Sequence, residues 1–256
     1  MNATSGCVAV AIPAYNEAAG IAGFLTDIDG ALHAWAGPIR FVVVDDASTD
    51  GTAETVAALT LRGTVDVVRN DRNRGHGPTL MRAYRRALEY YPEFVWHVDG
   101  DGQFDPADFW NLHRCVTSGA DVAVGVRRQR VDPFYRKAVS ASLRIYLRAF
   151  FGVRSRDANS PFRLYRSEVL RRLLYSIPDD ALIPSVYLTV VAARTRTAVS
   201  ETAVAHFVRR GGDERGTMWR GQRIPIRFIR FSYGALRESV RLRRQVVHSA
   251  PSKRPE

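Results

Sequence analysis

Phe94-Val95-Trp96-His97-Val98-Asp99-Gly100-Asp101-Gly102-Gln103 reads as a buried β-strand, Phe94–Val98, that stops at two carboxylates one residue apart. Glycines at 100 and 102 let the backbone turn tightly and approach a ligand. Two carboxylates followed by an amide oxygen make a hard-oxygen set suited to Mg²⁺ or Mn²⁺. A metal held there would bridge the phosphates of a nucleotide diphosphate. Alone, the stretch reads equally well as an Asp-Gly turn with solvated carboxylates.

Working outward, the same grammar repeats. Val8–Ile12, Ile39–Val44, Val65–Val68 and Val122–Gly125 are further short apolar runs, predicted as strands buried on both faces. Between them, Glu17–Trp35, Gly51–Leu61, Pro78–Tyr90 and Pro106–Ser118 carry helical patterns. Ser48-Thr49-Asp50 supplies N-cap chemistry for the second helix. Strand–helix alternation predicts an α/β fold with a mostly parallel sheet and right-handed crossovers. Such sheets bind ligands at the carboxyl ends of their strands. The polar clusters fall there: Asn16-Glu17 after the first strand, Asp45-Asp46 after the second, Asp99 and Asp101 after the fourth. In the second half, Arg136–Phe150, Glu168–Leu174 and Pro184–Ala193 read as helices. Arg156–Tyr165 is a polar connection into a strand, Val199–Val208 a further strand, and Gly211–Gly216 a flexible loop.

Two more strand ends carry candidate ligand contacts. In Val42-Val43-Val44-Asp45-Asp46-Ala47-Ser48-Thr49-Asp50, Asp46 is placed to meet a base or ribose, and Ser48, Thr49 and Asp50 read as caps. In Ile12-Pro13-Ala14-Tyr15-Asn16-Glu17, proline stiffens the turn and Tyr15 offers a flat surface to a base, or packs on the sheet edge.

The 256 residues are 46% hydrophobic, enough for one sizeable core, and no internal repeat is present. Cys7 and Cys115 lie in separate apolar segments and read as free buried thiols, which predicts a reducing compartment. The short segment before the first apolar run predicts no signal peptide, and no run of 18 apolar residues predicts a membrane span. Net charge is +11, but it builds along the chain: −4 over residues 1–100, +6 over 101–204 and +9 over 205–256. That gradient points to a polyanionic neighbour: nucleic acid, an anionic membrane surface or substrate phosphates. Acidic clusters at the strand ends and the lack of a nucleic-acid motif argue against nucleic acid as the partner.

Taken together, the three loops identify a resemblance. Over about residues 8–216 the chain closely resembles glycosyltransferase family two, and within it the dolichol-phosphate (polyprenyl-phosphate) mannosyltransferase-like group. The resemblance implies the A-type glycosyltransferase (GT-A) fold, a Rossmann-like single domain flanked by helices, and an enzyme that inverts the anomeric carbon. Its donor would be a nucleotide-sugar, GDP-mannose or a UDP-hexose, and its acceptor a polyprenyl or dolichyl phosphate. Pro13, Tyr15 and Glu17 would line the nucleoside pocket with Val44 and Asp46. Asp99, Gly100 and Asp101 would contact the diphosphate and ribose, and Asp101 with Gln103 would hold Mg²⁺ or Mn²⁺. Arg127, in Gly125-Val126-Arg127, matches the family's Gly-x-Arg near the donor phosphates. Asp157 and Arg163, within Asp157–Tyr165, would shape the acceptor end, the catalytic group being Asp101, Asp157 and Arg163. Arg136 and Ser140 would grip the acceptor phosphate, and Arg209 and Arg215 match a mobile basic loop that closes over the diphosphate.

Physical chemistry fits that set. Both substrates would be phosphorylated, which suits arginine's forked donors. A phosphate acceptor is already an anion, so positioning and leaving-group neutralisation would dominate. No Glu-Asp or Gln-x-x-Arg-Trp motif of processive members is present. Asn159, Ser160 and Pro161 depart from the group's pattern, which bears on the acceptor more than on the donor. Asn73-Arg74-Gly75-His76-Gly77 matches a loop that is usually Gly-rich, and His76 reads as a loop-packing residue. The competing readings are a family-two glycosyltransferase with a soluble acceptor such as a cell-wall or natural-product intermediate, a non-catalytic basic nucleic-acid-binding domain, and a nucleotide-sugar-binding protein that has lost catalysis.

Beyond the catalytic domain, 1–216, the stretch 217–248 repeats arginine at Arg220, Arg223, Arg227, Arg230, Arg237, Arg241 and Arg244. On a helix these make one basic stripe flanked by Ile226, Ile229, Tyr233, Leu236 and Val240. Such a helix suits an anionic bilayer surface, a membrane-embedded partner chain or packing on its own domain. Residues 249–256 read as a disordered tail. The expected location is cytoplasmic, peripheral at the membrane's cytoplasmic face.

Overall fold

A computed structural model describes residues 6–127 and 134–209, with the backbone alone over 134–140, together with positions 234, 237, 238 and 240. Its strands are β1 (Val8–Ala14), β2 (Ile39–Asp45), β3 (Thr64–Arg69), β4 (Phe94–His97), β5 (Val122–Arg127), β6 (Arg163–Arg166) and β7 (Val199–Val204). Its helices are α1 (Ala18–Ala31), α2 (Thr52–Ala57), α3 (His76–Leu88), α4 (Phe109–Thr117), α5 (Phe134–Phe151), α6 (Ser167–Leu174) and α7 (Pro184–Arg194).

The strands form one sheet in the order β3-β2-β1-β4-β6-β5-β7. All run parallel except β6, which pairs antiparallel with both β4 and β5. The expected mostly parallel sheet flanked by helices is present. The reversal at β6 has a consequence for function: its first residue, Arg163, lies at the same sheet edge as the carboxyl ends of the other strands. His97 pairs with Arg163, and Val124 does too.

Side chains alternate between two faces, and each face is sealed by its own helices. Val10, Ile12, Trp96 and Leu164 join Phe24, Leu25, Phe109 and Leu112 of α1 and α4. Ala9, Ala11, Val95 and Tyr165 join Leu80, Tyr84, Leu170 and Leu188 of α3, α6 and α7. The central strand β1 is buried at all seven positions, as its continuous apolar run predicts. β3 differs. It was expected to be buried on both faces, but it is one of the sheet's two outer strands, and its positions are half-buried or exposed. Its valines are apolar enough for a core strand, and only topology places them at the edge.

Element ends shift where local chemistry intervenes. The second helix is only Thr52–Ala57, entered through Gly51 at φ 87°. The N-cap position is Gly51 and carries no side-chain cap, while Asp50, one residue ahead of it, accepts through Oδ1 from Thr52 N–H at 3.1 Å and from the Thr52 hydroxyl at 2.6 Å. Pro106 opens a short 3₁₀ turn, capped by Asp105, before α4 begins. α3 starts two residues ahead of the predicted Pro78, and Gly77 in its first turn sits flush against the backbone of Ala181 and Leu182.

Gly211–Gly216, Arg215, the tail and most of the basic stripe lie outside the described residues. Glu238 is within them: its carboxylate accepts from Leu182 N–H at 2.9 Å, and its carbonyl accepts from the Tyr187 hydroxyl at 3.1 Å. The extension therefore touches the start of α7.

Candidate active site

The loops after β1, β2 and β4 are knitted into one edge. Asn16 adopts φ 53°, a left-handed conformation that asparagine tolerates. Its N–H donates to Ser48 Oγ at 2.9 Å, while its own Oδ1 accepts from Thr49 N–H at 2.9 Å. Glu17 N–H donates to Thr52 Oγ1 at 2.8 Å. Gly100 N–H donates to Pro13 O at 3.2 Å, and a Cβ at 100 would sit 3.3 Å from that same oxygen. Glycine thus lets the carboxylate loop press on β1.

Asp45 and Asp46 are both buried, and neither is open to solvent. Asp45 accepts from Ser48 and pairs with Arg69 Nε at 3.3 Å. Asp46 accepts from Arg74 N–H and Gly75 N–H at 2.8 Å each, and from Asn70 Nδ2 at 2.7 Å. Its carboxylate therefore shapes the loop that leads into α3. Val44 and Pro13 are buried beside it, and Tyr15 is half-buried at the loop's tip.

Asp99 and Asp101 have opposite electrostatics. Burial would raise Asp99, but His76, the bond from His97 and Arg127 outweigh it and hold the carboxyl below its ordinary value. Burial, with the Asp99 charge added, pushes Asp101 up to about 6. The Asp101 carboxylate accepts from Gln103 N–H at 3.1 Å. Gln103 spends its amide nitrogen on Phe207 O at 3.2 Å, which leaves the amide oxygen for a ligand.

This donor set fits a divalent cation of one kind. Among the described residues, no group of three His, Cys, Asp or Glu side chains is gathered to cage a metal. One carboxylate, one amide oxygen and a second negative charge alongside suit Mg²⁺ or Mn²⁺ that completes its shell with water and substrate phosphates.

Cationic groups close the edge. Arg209, after β7, pairs with Glu17: Nε to Oε2 is 3.2 Å, and Nη2 also donates to Oε1. Burial pushes Glu17 up to about 7, against Arg209 and with Asp101 and Asp99 adding to the rise. Arg127, at the end of β5, grips Asp157 with both prongs, Nε–Oδ2 at 2.7 Å and Nη2–Oδ1 at 2.8 Å. Arg163 is 1% exposed. It donates to the carbonyls of Ser160 and Ala158 and to Thr189 Oγ1, so it ties the 157–163 segment together from beneath. Arg136 and Ser140 fall in the first turns of α5, where the side chains lie outside the described residues, as does Arg215.

Sequence reasoning missed three participants. His97 is fully buried and meets both Tyr84 and Asp99. His76, read as loop packing, lies with Nε2 3.7 Å from Asp99 Oδ1. Asn70 bridges Asp46 and Thr79. The available signal was a histidine inside an apolar strand, two residues ahead of a carboxylate.

Comparison with known proteins places this edge in context. The family model described as Glycosyl transferase family 2 matches residues 9–174. The chain is 28% identical over 210 residues to the undecaprenyl-phosphate 4-deoxy-4-formamido-L-arabinose transferase of Serratia proteamaculans, covering 81% of this chain and 62% of that protein. It is 30% identical over 178 residues to the polyprenol monophosphomannose synthase of Mycolicibacterium smegmatis, covering 67% and 66%. The chain thus spans somewhat under two thirds of the length of these relatives. Among solved structures, the glucosyl-3-phosphoglycerate synthase of Mycobacterium tuberculosis, in complex with Mn²⁺, UDP-glucose and phosphoglyceric acid, aligns at TM-score 0.63 and 17% identity over 94% of this chain and 80% of that one. The mannosyl-3-phosphoglycerate synthase of Rubrobacter xylanophilus aligns at TM-score 0.60 and 16% identity over 98% and 78%. At those identities the likeness shows the fold, which is GT-A.

Proposed function

The chain belongs to glycosyl transferase family 2, and we propose that this glycosyltransferase moves a sugar from a nucleotide-sugar donor to a polyprenyl phosphate, with inversion and with a divalent metal. The observation that carries the reading is Asp101: a carboxyl pushed to about 6 beside a second acidic group, at a strand end, with a free amide oxygen two residues on. A pair of that kind suits a cation and an incoming diphosphate. The named relatives support the acceptor class, since both are transferases or synthases of polyprenyl-linked sugars by name.

In this reading the nucleoside rests against Tyr15 and Glu17, over the buried Pro13 and Val44, with Asp46 holding the 70–75 loop in place. Asp99 and Gly100 orient the ribose and diphosphate. Asp101 and Gln103 would hold Mg²⁺ or Mn²⁺, which when bound would neutralise the leaving diphosphate. Arg127 keeps one face toward the donor phosphates while Asp157 fixes its plane, and Arg209 and Arg215 close from the C-terminal side. Arg136 and Ser140 receive the acceptor phosphate at the start of α5. That phosphate is already anionic, so orientation and charge placement carry the rate in place of proton abstraction.

The donor is GDP-mannose or a UDP-hexose. Residues 1–216 form the catalytic domain, 217–248 a basic extension whose Glu238 bonds to Leu182 and Tyr187, and 249–256 a tail. Among the described residues, no helix is long and apolar enough to cross a membrane. The reading places the protein at the cytoplasmic membrane face, held through its basic extension by the bilayer or by a membrane-embedded partner chain.

The test is product analysis. Labelled donor is incubated with a short polyprenyl phosphate or, separately, with soluble phosphorylated acceptors. The reading expects label in the organic phase with inverted anomeric configuration. Label transferred only to a soluble acceptor would overturn the acceptor assignment and leave the donor chemistry in place.

A further inference from the structure

A hydrogen-bond chain runs out of the core and ends on Asp99. His97 lies on the β4 face that carries Val95, against α3. There it meets Tyr84, and both side chains have no exposed surface. Tyr84 Oη lies 2.9 Å from His97 Nδ1, with the rings edge-to-face at 5.3 Å and 76°. The far nitrogen, His97 Nε2, lies 3.3 Å from Asp99 Oδ1. A second imidazole, on the first residue of α3, approaches the same oxygen, with His76 Nε2 at 3.7 Å. Among the described residues, Oδ2 of Asp99 takes no hydrogen bond.

We propose that Tyr84 and His97 are positioning residues that clamp Asp99 by Oδ1 and present Oδ2 to the donor. The inference rests on the reading above, in which Asp99 contacts the donor.

The polarity of the chain follows from donor and acceptor chemistry. An ionised carboxylate only accepts, so Nε2 carries the proton. Burial keeps the imidazole neutral, its pKa pushed down despite Asp99, so Nδ1 is an acceptor and the Tyr84 hydroxyl donates to it. The tautomer is thereby fixed by partners at both ends. An apolar residue at position 97 would fill the same core site without needing a partner. A fully buried histidine there, with both nitrogens engaged and one turned to the strand-end carboxylate, fits orientation of that carboxylate. The clamp also separates the two acidic groups. Asp99 is held from behind by ring nitrogens, while Asp101 is held by one backbone N–H.

The experiment uses the full chain and four variants: Tyr84→Phe, His97→Leu, His97→Gln and Asp99→Asn. Binding of UDP and GDP in Mn²⁺ is measured by calorimetry, steady-state KM and kcat by nucleoside diphosphate release, and melting by circular dichroism. The amide of glutamine can take the place of Nε2. His97→Leu should weaken binding of the preferred nucleotide, and raise donor KM, by about tenfold with a smaller change in kcat, as expected for loss of one charge-assisted bond. His97→Gln should recover to within about threefold of the parent by keeping that donor. Tyr84→Phe should move the Nδ1 ¹⁵N resonance of His97 as its hydrogen bond is lost, leave Nε2 protonated by its bond to Asp99, and raise donor KM by less than His97→Leu does, while the melting curve keeps its cooperativity. Should His97→Leu fail to fold, Tyr84→Phe and His97→Gln carry the same comparison. A folded His97→Leu with unchanged KM and nucleotide binding, beside an impaired Asp99→Asn, overturns the clamp alone. An Nδ1–H tautomer in the parent overturns it as well. An unimpaired Asp99→Asn overturns the donor role of Asp99 and the clamp's purpose with it, whereas the tautomer would persist.

Discussion

Arg209 reaches across 192 residues of sequence to pair with Glu17, joining the loop after β7 to the loop after β1. The pair is largely enclosed, with side-chain exposures of 17% and 9%. Burial still wins over the guanidinium at Glu17, which sits at about 7 against an ordinary 4.5.

That raised value predicts a pH dependence of stability. A carboxyl with a raised folded-state pKa contributes stability that is fully present below about 4.5 and is lost as pH rises through about 7. Between those limits the native state binds more protons than the unfolded chain. Glu17→Gln should flatten this part of the profile, so the gap between parent and variant should change by about 2 kcal/mol between pH 5 and pH 8. Denaturant titrations at the two pH values measure it, and parallel profiles would contradict the assignment.

Asp101 predicts proton release on metal binding. With its carboxyl at about 6, a share of molecules carries a proton there at pH 5.5, and a cation must displace it. Calorimetry with Mn²⁺ in two buffers of different ionisation heat should find more protons released at pH 5.5 than at pH 7.5, and the excess should vanish in Asp101→Asn. A chelator should abolish turnover, and added Mg²⁺ or Mn²⁺ should restore it.

The two-pronged contact between Arg127 and Asp157 predicts strong coupling. Alanine at either position should lower stability, and the double variant should lose less than the sum, with a coupling energy of about 1–3 kcal/mol from denaturant unfolding. Simple additivity would mean that the pair is only a neighbourly contact.

Gly77 predicts a structural sensitivity that looks functional. A Cβ there would lie 2.1 Å from Ala181 O and 2.6 Å from Leu182 O, both backbone atoms. Gly77→Ala should destabilise by about 2–3 kcal/mol and displace the start of α3, with His76 on it. A melting temperature equal to the parent's would contradict the close packing.

Much of the fold was legible because buried strands announce themselves. β1, β2 and β4 are apolar runs ending in polar clusters, and the sheet edge that carries them is where the periodicity placed it. β3 has the same composition, yet it lies outermost, since pairing order is settled by contacts between distant segments. The antiparallel β6 was equally hidden, although it brings Arg163 to the site edge. At the site, Asp99, Asp101 and Gln103 stood out by spacing. Asp46 stood out too, but two of its bonds go to backbone N–H groups at 74 and 75, partners that no side-chain pattern reveals, and the third to Asn70. His97 was passed over because a lone histidine in a strand is more often a core residue, and only the fold sets Tyr84 behind it.

The most direct test is nucleoside diphosphate release by the purified chain, across a panel of nucleotide sugars, with and without a short polyprenyl phosphate and Mn²⁺ or Mg²⁺. The account predicts release that needs donor, lipid phosphate and metal together, and that falls to background in Asp101→Ala of unchanged fold. Release that is indifferent to the lipid phosphate, or that survives in Asp101→Ala, would contradict it.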